Sequence, residues 1–201
     1  LFYAVAVCHQ TRSLKSAKSN LFGWDYIEKV FLNLARRKSA LISPSSLELD
    51  DEHQIAKALG SAFADDGNAL NTTLDRIEER VGLMKDLSRF LNHVSGGSFT
   101  HLIEKTEGLL YNNGSGFYEL LEKAEAFGDP LRKKSSFLLK LLIDSGLFRI
   151  RDAENYIPIM DYHMQRVLLR LGCIRINDLE LLEAIRKRSP LHTDQPVRKA
   201  C

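Results

Sequence analysis

Apolar side chains recur along this chain at spacings of three and four residues, the period of amphipathic helices. Ile27, Val30, Phe31 and Leu34 lie on one face of a stretch opened by Phe22-Gly23-Trp24-Asp25-Tyr26 and closed by Arg36-Arg37-Lys38. Cations at that end suit the helix dipole. A second helical stretch begins at Ser46 or Asp50 and runs through Ile55, Ala58 and Leu59, after a linker at 41–45. The longest pattern runs from Leu70 to Val94, with Leu74, Ile77, Val81, Met84, Leu87, Phe90 and Leu91 turned inward, and Gly96-Gly97 stops it. Further helices are predicted over 101–110, 117–126, 132–144 and 179–187, while Leu1 to Val7 reads as the end of a helix or strand and 190–196 as a connection. No segment alternates with the period of two that marks a half-buried strand, and no repeat is present. The pattern therefore predicts an all-α fold of many short helices.

One stretch, Ile157 to Ile174, organises the expectation about a site. Pro158 brings the chain in extended. Asp161 is then placed to cap a helix, its carboxylate accepting from N–H groups of the first turn. Met164, Val167, Leu168 and Leu171 share one face, and Gly172 ends the element. A short buried helix with a carboxylate at its positive end is expected. Taken alone, Asp161 reads as a structural cap.

Composition narrows the function classes. The 201 residues carry 28 Lys and Arg against 26 Asp and Glu, a net charge of +2, which neither demands nor excludes a nucleic-acid partner. Cys8, Cys173 and Cys201 have no metal-type spacing, so zinc and four-cysteine iron–sulfur sites are excluded within the chain. Neither a metal nor a cofactor is expected. An odd cysteine count without a signal-peptide pattern points to a reducing cytoplasm, and no apolar run has membrane-spanning length. The phosphate-binding glycine motifs of nucleotide triphosphatases and dinucleotide enzymes are missing. The chain is expected to be one α-helical domain over 1–201, cut short at both ends.

Three features besides Asp161 suggest chemistry. Arg132-Lys133-Lys134-Ser135-Ser136 puts cations at a helix start, against the dipole. It reads either as a solvated basic turn or as a contact for a phosphate or an amine aimed at substrate. Trp24, just after a glycine, suits either the core or the wall of a pocket for a flat ring. Cys8 and His9 are neighbours whose side chains point apart, a poor start for a nucleophile–base pair.

The second half resembles the helix-hairpin-helix DNA glycosylase superfamily. Asp161, His163, Arg166, Val167, Arg170, Leu171 and Gly172 match that family's Asp-x-His-x-x-Arg-Val-x-x-Arg-Leu-Gly pattern, and Lys134, or alternatively Lys133, matches its helix-opening lysine. The hairpin ahead of that lysine holds one glycine, Gly128, and the interval from Lys134 to Asp161 is long. A resemblance spanning more of the chain is to the queuosine salvage proteins, nucleotide N-glycosylases of the same all-α class. It is carried by the charged helix from Arg76, by Gly96-Gly97-Ser98-Phe99, by the basic helix 132–142, by Asp161-Tyr162 with Leu171-Gly172, and by 196–201.

The resemblance implies two lobes around a cleft and cleavage of an N-glycosidic bond in a nucleotide or nucleoside, with DNA as the alternative substrate. In that frame Asp161 stabilises the oxocarbenium ion or activates water, as in sugar hydrolysis generally. Lys134 is a Schiff-base nucleophile or a phosphate ligand, and Arg132 and Lys133 bind phosphate. Trp24, Phe22 and Tyr162 stack on the base, and His9, Gln10, Asp25 and His163 read its edge. The remaining alternative is a helical binding module without catalysis.

Overall fold

The computed structural model describes residues 1–189, 191–193 and 195–201, which leaves Pro190 and Asp194, both inside the expected connection, outside the described residues. Among them are eleven α-helices and one short hairpin, so the chain is all-α. The order is α1 (Phe2–Ala6), β1 (Lys15–Ser16), β2 (Leu21–Phe22), α2 (Gly23–Arg36), α3 (Pro44–Leu49), α4 (Glu52–Ala62), α5 (Ile77–Ser95), α6 (Phe99–Lys105), α7 (Phe117–Leu121), α8 (Lys133–Asp144), α9 (Tyr162–Arg170), α10 (Leu179–Arg186) and α11 (Gln195–Ala200). No helix among the described residues is long and apolar enough to cross a membrane.

The central element is α5, packed against α1, α3, α4 and α6. Its apolar stripe of Val81, Met84, Leu87 and Leu91 is fully buried. Gly96 ends it at φ +59°, a left-handed conformation that glycine adopts without a Cβ penalty. The helix starts at Ile77, seven residues later than the spacing predicts. Asn68 and the Thr72 and Thr73 side chains explain the delay, because they bond locally instead of extending the helix. Asn68 caps a single 3₁₀ turn over Ala69–Asn71. Thr72 Oγ1 accepts from Leu74 N–H, and Thr73 Oγ1 both accepts from Lys15 N–H and donates to its carbonyl.

Other boundaries move for similar reasons. The segment expected as linker at Pro44 is the first turn of α3, where proline's missing N–H costs nothing. Asp51 then caps α4 by accepting from His53 and Gln54 N–H groups. The β1–β2 hairpin, which the pattern does not predict, pairs Lys15 with Phe22 and Ser16 with Leu21. The expected connection at 190–196 gives way to α11 from Gln195.

One hydrophobic cluster runs from Phe2 through Phe148 and takes in α1 to α8. All six residues from Phe2 to Val7 are buried in it. The part beyond contributes little, which corrects the expectation of a buried helix at 161–171. In α9 only Gln165 is buried, while Met164, Val167 and Leu171 are exposed. The apolar face predicted to point inward stands open because, among the described residues, little besides α11 packs against it.

Candidate functional site

Three helix ends meet around Lys134. Its amine, in the first turn of α8, donates to the Ala6 carbonyl at the end of α1 (2.6 Å). Burial lowers its pKa, helped by the charges of Arg80 and Lys133 and opposed by Cys8 and Glu79. No carboxylate lies within ion-pair distance of it among the described residues. The neighbouring Cys8 thiol is pushed up by burial, against the pull of Lys134, Lys133 and Arg80.

Beneath this amine lies Arg80 of α5, fully buried. Its guanidinium donates to the Asp75 carbonyl (2.8 Å), to Asp75 Oδ1 (2.7 Å), to the His9 carbonyl (3.1 Å) and to the Val7 carbonyl. The arrangement satisfies the carbonyls left open at the end of α1. Sequence reasoning passed over Arg80 as one charge in a charged helix. The signal was present: Arg80 falls within the Ile77, Val81, Met84, Leu87 stripe, where a charge has to be buried and paired.

His9 and Gln10 join this cluster. Gln10 Oε1 accepts from Arg76, which is also paired with Glu79. His9 Nε2 stands 3.1 Å from Glu79 Oε1, but neither ring nitrogen makes a hydrogen bond among the described residues. Burial and then the charges of Lys134 and Arg80 lower the His9 pKa to about 4, with Glu79 acting in the other direction. An unfolded histidine titrates near 6.5. The unfolded chain therefore binds more protons between the two values, and stability falls as pH drops through that window. Denaturant titrations at pH 7 and pH 4.5 check this; His9→Gln is expected to remove most of the difference, and an unchanged difference would refute the assignment. Asp75, held below the usual carboxylate range mainly by Arg80 against burial, loses its contribution only at more acid pH.

The remaining predicted residues are dispersed. Trp24 is half-buried, edge-on to Phe137 of α8 (centroids 4.7 Å apart), so it lines the side of the helix that carries Lys134 one turn earlier. Phe22 is 59% exposed and Asp25 is exposed. Arg132, expected to bind phosphate, is occupied: it donates to the Tyr118 carbonyl (3.0 Å) and Glu122 (2.6 Å) and lies over the rings of Tyr111 and Tyr118. Arg132 itself stands at φ +53°, in the left-handed region, as the residue that leads into α8. Lys133 is half-buried.

Asp161 caps α9 as the sequence predicts. Oδ1 accepts from His163 and Met164 N–H groups, each at 3.0 Å, and Oδ2 makes no hydrogen bond among the described residues. Tyr162 and His163 follow on the exposed first turn with their rings 3.9 Å apart. The approach to Asp161 is tied to α8: Tyr118 Oη accepts from Ile157 N–H (3.3 Å) and is hydrogen-bonded to Ser136 Oγ (3.1 Å), two residues from Lys134. Four residues of chain span at most about 14 Å, which bounds how far Asp161 stands from that anchor. A second tie runs through α11, which touches α9. There Arg198 donates to Asp129 (2.6 Å), whose carboxylate also accepts from the Leu131 and Lys133 N–H groups at the start of α8. Burial favours the neutral form of Asp129, but these bonds outweigh it and hold the carboxyl low.

No group of three or more His, Cys, Asp or Glu side chains is gathered to hold a metal ion among the described residues. No protein-family model matches the chain, and no curated protein matches it.

Proposed function

We propose that the chain hydrolyses an N-glycosidic bond, releasing a modified purine-like base such as queuine from a nucleotide or nucleoside, in a helix-hairpin-helix glycosylase-like architecture and a reducing cytoplasm. The observation that carries the reading is the division of labour within the Asp161 carboxylate. One oxygen is fixed by two N–H groups of α9, and the other makes no hydrogen bond among the described residues. A carboxylate so held is oriented by one oxygen with the other left to face a ligand, as stabilising an oxocarbenium ion or activating water requires. Tyr162 and His163 on the adjoining turn supply exposed rings for a base.

Lys134 favours a second reading, a DNA glycosylase with lyase activity. A lysine amine with a lowered pKa and no carboxylate partner among the described residues has the character of a Schiff-base nucleophile. In the hydrolase it stays a bystander or holds a phosphate.

Both readings are tested by incubating the chain with queuosine 5′-phosphate and, separately, with duplexes carrying modified bases, and detecting free base by mass spectrometry. Asp161→Asn keeps a good helix cap while removing the charge. It is expected to leave stability nearly unchanged and to reduce base release by about 10²- to 10⁴-fold. Full activity in that variant refutes the role given to Asp161. Borohydride trapping on DNA that disappears in Lys134→Ala assigns the lyase; release from the nucleotide without trapping assigns the hydrolase.

A further inference from the structure

On another face of the molecule, the β1–β2 hairpin, α2 and α4 enclose a cavity of about 520 Å³. We infer that it is a binding site for the dianion of a phosphate monoester. The inference is independent of the glycosidase proposal, because it rests on residues that the Asp161 and Lys134 region does not use.

Charge comes first. Three cations, Lys18, Lys29 and Arg37, line the cavity, and Asp65 is the one carboxylate among its lining residues. Both Asp65 oxygens are committed: Oδ1 accepts from Ser16 Oγ (2.5 Å) and Oδ2 from Lys18 N–H (3.0 Å). The Ser16 bond and then the Lys18 N–H bond hold this carboxyl low, so it remains an anion and closes the base of the hairpin. Lys29 and Arg37 have no ion-pair partner among the described residues. The lining thus carries a surplus of two positive charges. A phosphate monoester carries about −1.5 to −2 at neutral pH.

Geometry points the same way. Lys29, Asn33 and Arg37 recur every four residues of the chain and share one face of the α2 stretch. Attraction of cations to the helix C-terminus accounts for Arg36 and Arg37, but Lys29 lies two turns earlier, beyond the reach of that effect. Asn33 adds an amide to the same wall, while across from it the Ser19 hydroxyl donates to Ser16 Oγ (2.8 Å) and steadies the hairpin side. A guanidinium, two ammonium groups and a neutral amide around a concavity are a donor set for phosphate oxygens. The volume suits a compact small molecule, with room beside the phosphate for a sugar-sized group.

The test is calorimetry of the full chain with inorganic phosphate at low ionic strength, with backbone NMR shifts followed over residues 16–19 and 61–67. Saturable binding with shifts in those two segments is expected. Lys29→Gln combined with Arg37→Gln removes two exposed side chains and leaves the core untouched; it is expected to weaken binding at least about tenfold. Arg175→Gln combined with Arg186→Gln, elsewhere on the surface, is the control for net charge and is expected to leave binding unchanged. Absence of saturable binding, or equal weakening in the control, overturns the proposal. So does a duplex DNA that binds and depends on Lys29 and Arg37 where inorganic phosphate does not, since that would make the face a nucleic-acid contact.

Discussion

Replacing Arg80 by methionine is expected to cost about 3–5 kcal/mol of unfolding free energy in a urea titration, because three carbonyls lose their donor at about 1–3 kcal/mol each. Methionine keeps much of the stem's packing, so the loss reports on the guanidinium. That group is completely enclosed and supplies the donors for the Val7, His9 and Asp75 carbonyls. Water does not replace those donors at the buried end of α1, where each orphaned acceptor carries its desolvation penalty. Asp75 provides the contrast. Its side chain is 46% exposed, and Asp75→Asn keeps an amide oxygen for the guanidinium, so this variant is expected to cost less than Arg80→Met although it leaves a buried charge without its counter-ion. A loss below about 1 kcal/mol for Arg80→Met would mean that the carbonyls find other partners and that Arg80 does not organise the junction.

Gly116→Ala is the second large effect, expected at about 2–3 kcal/mol by the same measurement. A Cβ there would lie 2.5 Å from the Leu110 carbonyl oxygen, 2.6 Å from Tyr111 Cα and 2.7 Å from Asn112 N. All three are backbone atoms, so no side chain turns aside to relieve the contact. The strand of chain at 109–112 must shift, and with it the bonds from Phe117 and Tyr118 N–H to the Leu109 and Leu110 carbonyls. Glu119, whose carboxylate accepts from Asn112 and Gly116 N–H groups, would lose its register as well. The matched control is Gly82 in α5, where a Cβ meets nothing within 4 Å. There the same replacement is expected to stabilise by about 0.5–1 kcal/mol through the unfolded chain alone. Similar values at the two positions would refute the steric account.

Much of the helical content was legible because Ile27, Val30, Phe31 and Leu34, or Val81, Met84, Leu87 and Leu91, repeat a period that only a helix satisfies. The starts and stops were less so. Thr72 and Thr73 look permissible inside a helix until their hydroxyls find Leu74 and Lys15, partners that spacing does not reveal. For α9 the apolar face was read correctly as a face and wrongly as an inward one. Periodicity gives the direction of a stripe but not whether anything packs upon it. In the site, Asp161 was legible because capping is a local event, settled within three residues. Arg80 and the engagement of Arg132 with Glu122 and Tyr118 were not, since each depends on chain brought from elsewhere.

The bond from Arg80 to the Val7 carbonyl joins residues 73 positions apart, which has a meaning for synthesis on the ribosome. Residues Phe2 to Val7 are made well before the arginine that satisfies them. At about 5–20 residues per second, that wait lasts roughly 4–15 seconds. Throughout it, a run of six apolar residues destined for complete burial stands unprotected. Elongation speed between Val7 and Arg80 therefore sets how long the nascent chain needs shelter, and slow codons in that interval lengthen the exposure of its stickiest segment.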